Sequence, residues 1–314
     1  MTHPIFDFTF STKATKQNSA ILKSFDFDIE KAIQAQSGSP CLFGSEFRAW
    51  FVLEPLLHNH PLWNEVKTIL RDGATFPLND IPDEDHHIDL NYMLKHGNHK
   101  SVLQGHDMIL ELIEEDVSHG FSLPLTLDCA QNIPKASVAP LGLVEQDTID
   151  EFGNIVKKTR MTHDQSFPGP SKLSVNKRVR VEDLPECKFG FALRRMLHQI
   201  VSIRKRHPNV RILMGKYDIK AAYRRAHLSA ATAAESLTVF DNKLLMALRM
   251  TFGGCPCPSQ FGCISETICD LANDLIQCKK WNHCEIFFTQ STLSQTGIPS
   301  RQYNSFQTST RTRS

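Results

Sequence analysis

Between positions 42 and 70 the apolar side chains Phe47, Trp50, Phe51, Leu53, Leu56 and Leu57 fall at three- and four-residue steps, the spacing that lines one face of a helix. Pro55 and Pro61 interrupt that rhythm, so two or three short helices are expected there. Val102, Leu103, Met108, Ile109, Leu112 and Ile113 predict a further helix over about 102–118, ended by Gly120. Leu193, Met196, Leu197, Ile200 and Val201 mark another over 189–206. Phe261, Ile264, Ile268, Leu271 and Leu275 mark the last, running to about 278 with Pro258 in its first turn.

Elsewhere the pattern is that of strands. Residues 142–146 and the alternating run 155–163 read as two strands joined through 150–154, where Gly153-Asn154 suits the positive backbone angles of a hairpin turn. Segments 236–240 and 244–250 read as a second hairpin around Asp241-Asn242-Lys243. A short apolar run at 211–218 delivers a carboxylate, Asp218, to the end of an expected strand. Residues 1–40 scatter Phe6, Phe8, Phe10, Phe25 and Phe27 through polar sequence and read as a loosely ordered arm. A helical region over 41–130 follows, with a loop at 77–87 whose run Asp83-Glu84-Asp85-His86-His87 suits either a metal or plain solvation. Pro124, Pro134 and Pro140 place a domain boundary before an α+β part over 138–278. The Ser-, Thr-, Gln- and Arg-rich residues 285–314 read as a disordered tail.

Charge changes this picture more than composition does. The 314-residue chain has a net charge of +1, yet residues 1–156 carry −13, residues 157–225 carry +13 and the remainder +1. The basic segment has the footprint of a surface that faces phosphates, or of one that docks on the chain's own acidic half. With 41 % apolar and 22 % charged residues the chain has a globular composition. No apolar run reaches the length needed to span a bilayer, and the first residues lack a basic stretch followed by an apolar core, so an intracellular, non-membrane protein is expected. Nine cysteines, six of them between Cys255 and Cys284, point to reduced thiols and not to a disulfide framework. Their spacings lack the paired Cys-x-x-Cys knuckles of structural zinc.

Three short motifs carry the candidate chemistry. Asp218 ends its strand, and Tyr223 follows five residues later within Ala-Ala-Tyr-Arg-Arg. After the second hairpin comes Thr251-Phe252-Gly253-Gly254, with Cys257-Pro258 and Phe261 entering the helix. Upstream lie His163-Asp164, Ser166-Phe167-Pro168 and Ser174-Val175-Asn176. In order and spacing these resemble the fingers and palm of a retrotransposon reverse transcriptase, the fingers motif being most similar to that of DIRS-type, tyrosine-recombinase retroelements. Thr251 stands where that family usually has Pro, and the Arg that usually follows the Asp-aromatic pair is missing. The resemblance implies an RNA-directed DNA polymerase acting on an RNA or DNA template–primer and deoxynucleotide triphosphates, with Mg²⁺. It implies that Asp218 holds the metal with the carbonyl of Ile219, and that Tyr223 screens the sugar of the incoming nucleotide. It further implies that Lys158 and Arg160 lie over the triphosphate, and that Phe252 and Gly253 border the nucleotide, glycine letting the backbone come close.

Two-metal nucleotide addition needs more than one carboxylate. Residues 279–314 contain no Asp, and Glu285 is their only acid, so the second acidic motif of the family is missing. The expectation is therefore a truncated, inactive polymerase: helical N-terminal region, fingers and part of a palm. Two other readings stay open. One is a non-catalytic nucleic-acid-binding remnant that uses the basic 157–225 face. The other is an interaction protein held together by its acidic and basic halves.

Overall fold

In the computed structural model, residues 5–36, 41, 46–150, 152–186, 192–212, 214 and 219–277 are described. The chain divides into a unit Met1–Thr267 and a second unit Ile268–Ser314. The architecture mixes helices with small antiparallel sheets.

Asn18 decides how the N-terminus is held. It lies on α1 (Thr12–Ser24), whose N-cap Ser11 accepts from the amide of Ala14, and it is completely buried. Its Nδ2 donates to the carbonyls of Asp7 (2.9 Å) and Pro124 (3.0 Å), and its Oδ1 accepts from the Asp7 amide. Ser19 accepts from the amide of Thr126. With Ala14, Ile21 and Leu22 buried beside them, and α2 (Ile29–Gln34) capped by Asp28, residues 5–36 are part of the packed body. The expectation of a loose arm over 1–40 is corrected for these residues. The anchors are Asn and Ser, which a hydrophobic pattern counts as surface.

Those bonds end on β1 (Ser122–Thr126), an edge strand that the proline-based reading missed. The sheet has the order β1-β5-β4, where β4 is Leu237–Phe240 and β5 is Lys243–Ala247. Pro124 sits opposite Leu245. A strand residue's N–H and C=O point to the same side, so a carbonyl taken by Asn18 means that the missing N–H also faces away from β5, where it breaks no ladder bond. The expected β4–β5 hairpin is present; Asp241 and Asn242 have φ of 47° and 57°, as its two-residue turn demands. The other sheet edge is covered by residues 137–139, where Leu237 donates to Ser137 and Ala139 donates to Leu237. The proline-rich stretch read as a domain boundary thus lies inside the Met1–Thr267 unit. Ile109, Ile113 and Val117 on α7 (His106–Ser118) close the core against Phe240 and Leu245.

The remaining elements follow the sequence with local differences. The interrupted stripe of 42–70 gives α3 (Trp50–Leu57) and α4 (Trp63–Asp72). The acid–His run is no loop: it opens α5 (Asp83–His96), where Asp83, Glu84 and Asp85 complement the positive end of the helix dipole. The helix expected over 102–118 is broken at Gly105 into α6 (Lys100–Gln104) and α7. A two-stranded sheet pairs β2 (Leu141–Ile149) with β3 (Ile155–His163). Then come α8 (Ala192–Arg206), α9 (Ala230–Ala234) and α10 (Cys257–Gln277). The α8 stripe is not a core face: Leu193, Met196, Leu197 and Val201 are exposed. Among the described residues no helix is long and apolar enough to cross a membrane. The expected tail at 285–314 lies outside them.

Candidate functional site

The site is built around the turn that leaves β3. His163, the last residue of that strand, donates its amide to the carbonyl of Phe252 at 2.9 Å. Its own carbonyl accepts from the Gln165 amide at 2.8 Å. That carbonyl oxygen occupies the place a side chain at Gly253 would need: a Cβ there would lie 1.7 Å from it, at a φ of +127°. Glycine is thus demanded by a neighbouring strand end within the chain. The reason expected from sequence for this glycine is close approach of a nucleotide; the strand end supplies a reason within the chain itself.

Asn176 locks the arrangement. Its amide donates to Gln165 O (3.0 Å), its Nδ2 donates to Gly253 O (2.6 Å) and Ser166 Oγ (2.8 Å), and its Oδ1 accepts from the Cys255 amide (2.8 Å). One residue, through its amide and its side chain, therefore joins segments 165–166 and 253–255. Two residues on, Arg178 is buried and makes a two-pronged pair with Glu235, at 2.5 and 3.0 Å, while its Nε donates to Asn79 O at 2.9 Å.

On the other side of Phe252 lies a group of rings and a cation. Tyr223, in a single 3₁₀ turn at Ala222–Arg225, has its ring 5.2 Å from Phe252 and 5.9 Å from Phe261. The Arg160 guanidinium lies over Phe252 at 5.4 Å, within cation–π range, and its buried Nε has no hydrogen-bond partner among the described residues. Lys158 is exposed two residues earlier on β3, and strand alternation puts it on the same face as Arg160. Arg160, Tyr223, Phe252 and Gly253 are therefore brought together. Ile219 is exposed and begins the described stretch before Tyr223. Asp218 lies outside the described residues. No group of three or more His, Cys, Asp or Glu that could hold a metal is found among the described residues.

The +13 of the basic segment divides once the partners are known. Arg224 pairs with Asp116 at 2.5 Å and Arg225 with Glu46 at 2.8 Å, both ties to the acidic N-terminal half. Arg178 is consumed by Glu235. Lys158, Lys172, Lys177, Arg204 and Lys205 remain exposed. Sequence alone does not separate the two groups, since all are cations in polar surroundings.

His163 sets the pH behaviour of the site. Burial first, and the Arg224 charge second, push its pKa down to about 3, and neither ring nitrogen has a hydrogen-bond partner among the described residues. The unfolded chain takes up this proton near the ordinary 6.5, whereas the folded chain resists it until about 3. Stability from the neutral ring is thus complete above pH 6.5 and is lost as pH falls toward 3, by about 1.4 kcal/mol per unit. Denaturant unfolding across that window is expected to show this slope, and His163→Phe to flatten it. An unchanged slope in the variant would assign the acid sensitivity elsewhere.

Comparisons with family models, curated proteins and solved structures find no match for this chain.

Proposed function

We propose that residues 138–278 are the fingers and partial palm of a reverse-transcriptase-like polymerase, and that this chain's own share of that work is to grip a template–primer. The observation that carries the reading is the clasp. Three motif pieces, 163–168, 174–176 and 252–255, meet through main-chain bonds and Asn176, although Asn176 and Gly253 are 77 residues apart. The reading needs these pieces side by side, and their convergence supports it. Beside the clasp, Arg160 and Lys158 offer positive charge to phosphates, while Tyr223 and Phe252 offer apolar faces to a sugar or base. When bound, Mg²⁺ would supply charge neutralisation at the transferred phosphate. In the reading taken from the resemblance, Asp218 and the Ile219 carbonyl would be its ligands in this chain.

The reading is tested by fluorescence anisotropy with a labelled RNA–DNA hybrid at increasing salt. Binding is expected to be retained at about 50 mM salt and to fall steeply by about 200 mM, as phosphate contacts require. Lys158→Ala and Arg160→Ala should each lower the log–log salt slope by roughly one. Binding absent even at low salt would favour the interaction-protein reading, for which the Arg224–Asp116 and Arg225–Glu46 ties already speak. Primer extension by this chain alone would overturn the limitation to gripping.

A further inference from the structure

The turn that carries the clasp holds a second group of rings at its far end. The His96 ring lies 4.6 Å from Phe167 at an interplanar angle of 34°, and Tyr92 stacks on His96 at 5.5 Å and 25°. His99 meets Phe167 edge-on at 5.8 Å, and its Nε2 is held by Asp164 at 2.9 Å. Tyr92 and His96 stand one turn apart on α5, so the stack is built on a rigid element. Rings gathered for core packing are buried. Here Tyr92 is 42 % exposed and His96 is exposed as well, which leaves the stacked Tyr92–His96 end of the ring group open to solvent.

The cations lie at the end of α5 that carries the rings. Lys95 and Lys100, in the last turn of α5 and the first of α6, are exposed on either side of His96 in sequence. Asp83, Glu84 and Asp85 sit at the opposite end of α5, and of the nearer carboxylates Asp164 is paired with His99 while Asp89 accepts from the amide and hydroxyl of Ser171. His163 at the clasp and Phe167 in the stack are four residues apart, so their Cα atoms are separated by at most about 14 Å. One short oligonucleotide can reach both.

We propose that Tyr92, His96 and Phe167 form a stacking platform for unpaired bases of a single-stranded nucleic acid. The proposal rests on the nucleic-acid reading above and specifies the part of the substrate taken here: bases free of a duplex. Every base has a π-face, so such a platform is sequence-tolerant, and it distinguishes strands with bases from strands without them.

The test uses the full chain and labelled probes of equal length: an oligo-dT strand, an abasic strand and a blunt duplex. The dT strand is expected to bind about tenfold more tightly than the abasic strand. Tyr92→Ala should bring the two together and leave duplex binding unchanged, while Tyr92→Phe should keep the difference. His96→Ala, which removes the next ring, should act like Tyr92→Ala and guards against a local folding defect in either variant. Equal binding of dT and abasic strands by the wild type, or an unchanged ratio in both alanine variants, overturns the platform while duplex binding leaves the polymerase reading intact. Failure to bind all three probes at low salt overturns both.

Discussion

Gly253→Ala is expected to destabilise the protein by about 2–6 kcal/mol, a large part of the stability of an ordinary domain. Two effects add. A positive φ of +127° strains any residue with a Cβ, and that Cβ would meet the His163 carbonyl oxygen at 1.7 Å. The oxygen cannot simply swing aside, because it belongs to main chain tied to the Gln165 and Phe252 backbone. Gly153→Ala separates the two effects. Gly153 also has a positive φ, +87°, but open space around it, so its replacement should cost only about 1 kcal/mol. Urea midpoints at equal slope give both numbers. If the two variants lose the same amount, steric conflict at the clasp is not what selects glycine.

The second large effect is expected at Arg178. Replacing it with Met leaves the Glu235 carboxylate buried without its partner, a loss of roughly 3–5 kcal/mol. Replacing both, Arg178→Met with Glu235→Leu, should recover most of that, since an apolar pair needs no desolvated charge. Recovery will be incomplete, because Asn79 O also loses the donor it has in Arg178 Nε, worth about 1 kcal/mol. Arg178 follows Asn176 by two residues, so the single variant should also weaken hybrid binding, and the double variant should restore it. A double variant as unstable as the single one would mean that the pair acts through geometry and not through charge compensation.

Much of the fold was legible because period and turn chemistry agree locally. Gly153-Asn154 and Asp241-Asn242 named both hairpins, and Pro258 named the start of α10. What escaped was decided by single long-range bonds. Asn18 turns an apparent arm into part of the core and lets Pro124 live in a strand, and nothing in the hydrophobic pattern marks Asn18. The acid–His run looked like a loop because charge hides a helix start that the dipole favours. At the site, the motif residues Arg160, Tyr223, Phe252 and Gly253 were named from sequence and lie together, while Asp218 is outside the described residues. Which cations face solvent was not legible, since Arg178 and Arg224 differ from Lys158 only in partners that lie far away along the chain. The ring group was not read from the sequence: Tyr92 and His96 come together on a helix whose acidic start looked like a loop, and Phe167 joins them only through the turn after β3.

The order β1-β5-β4 has a cost in time. β1 is made early, and its partner β5 lies more than a hundred residues later, at Lys243–Ala247. At ~5–20 residues per second, a nascent chain waits on the order of ten seconds with that edge unpaired. During the wait, helix α1, by holding Pro124 and Thr126, covers the outer side of the strand but not the side meant for β5. The side of β1 meant for β5 therefore stays open until Lys243–Ala247 has been made.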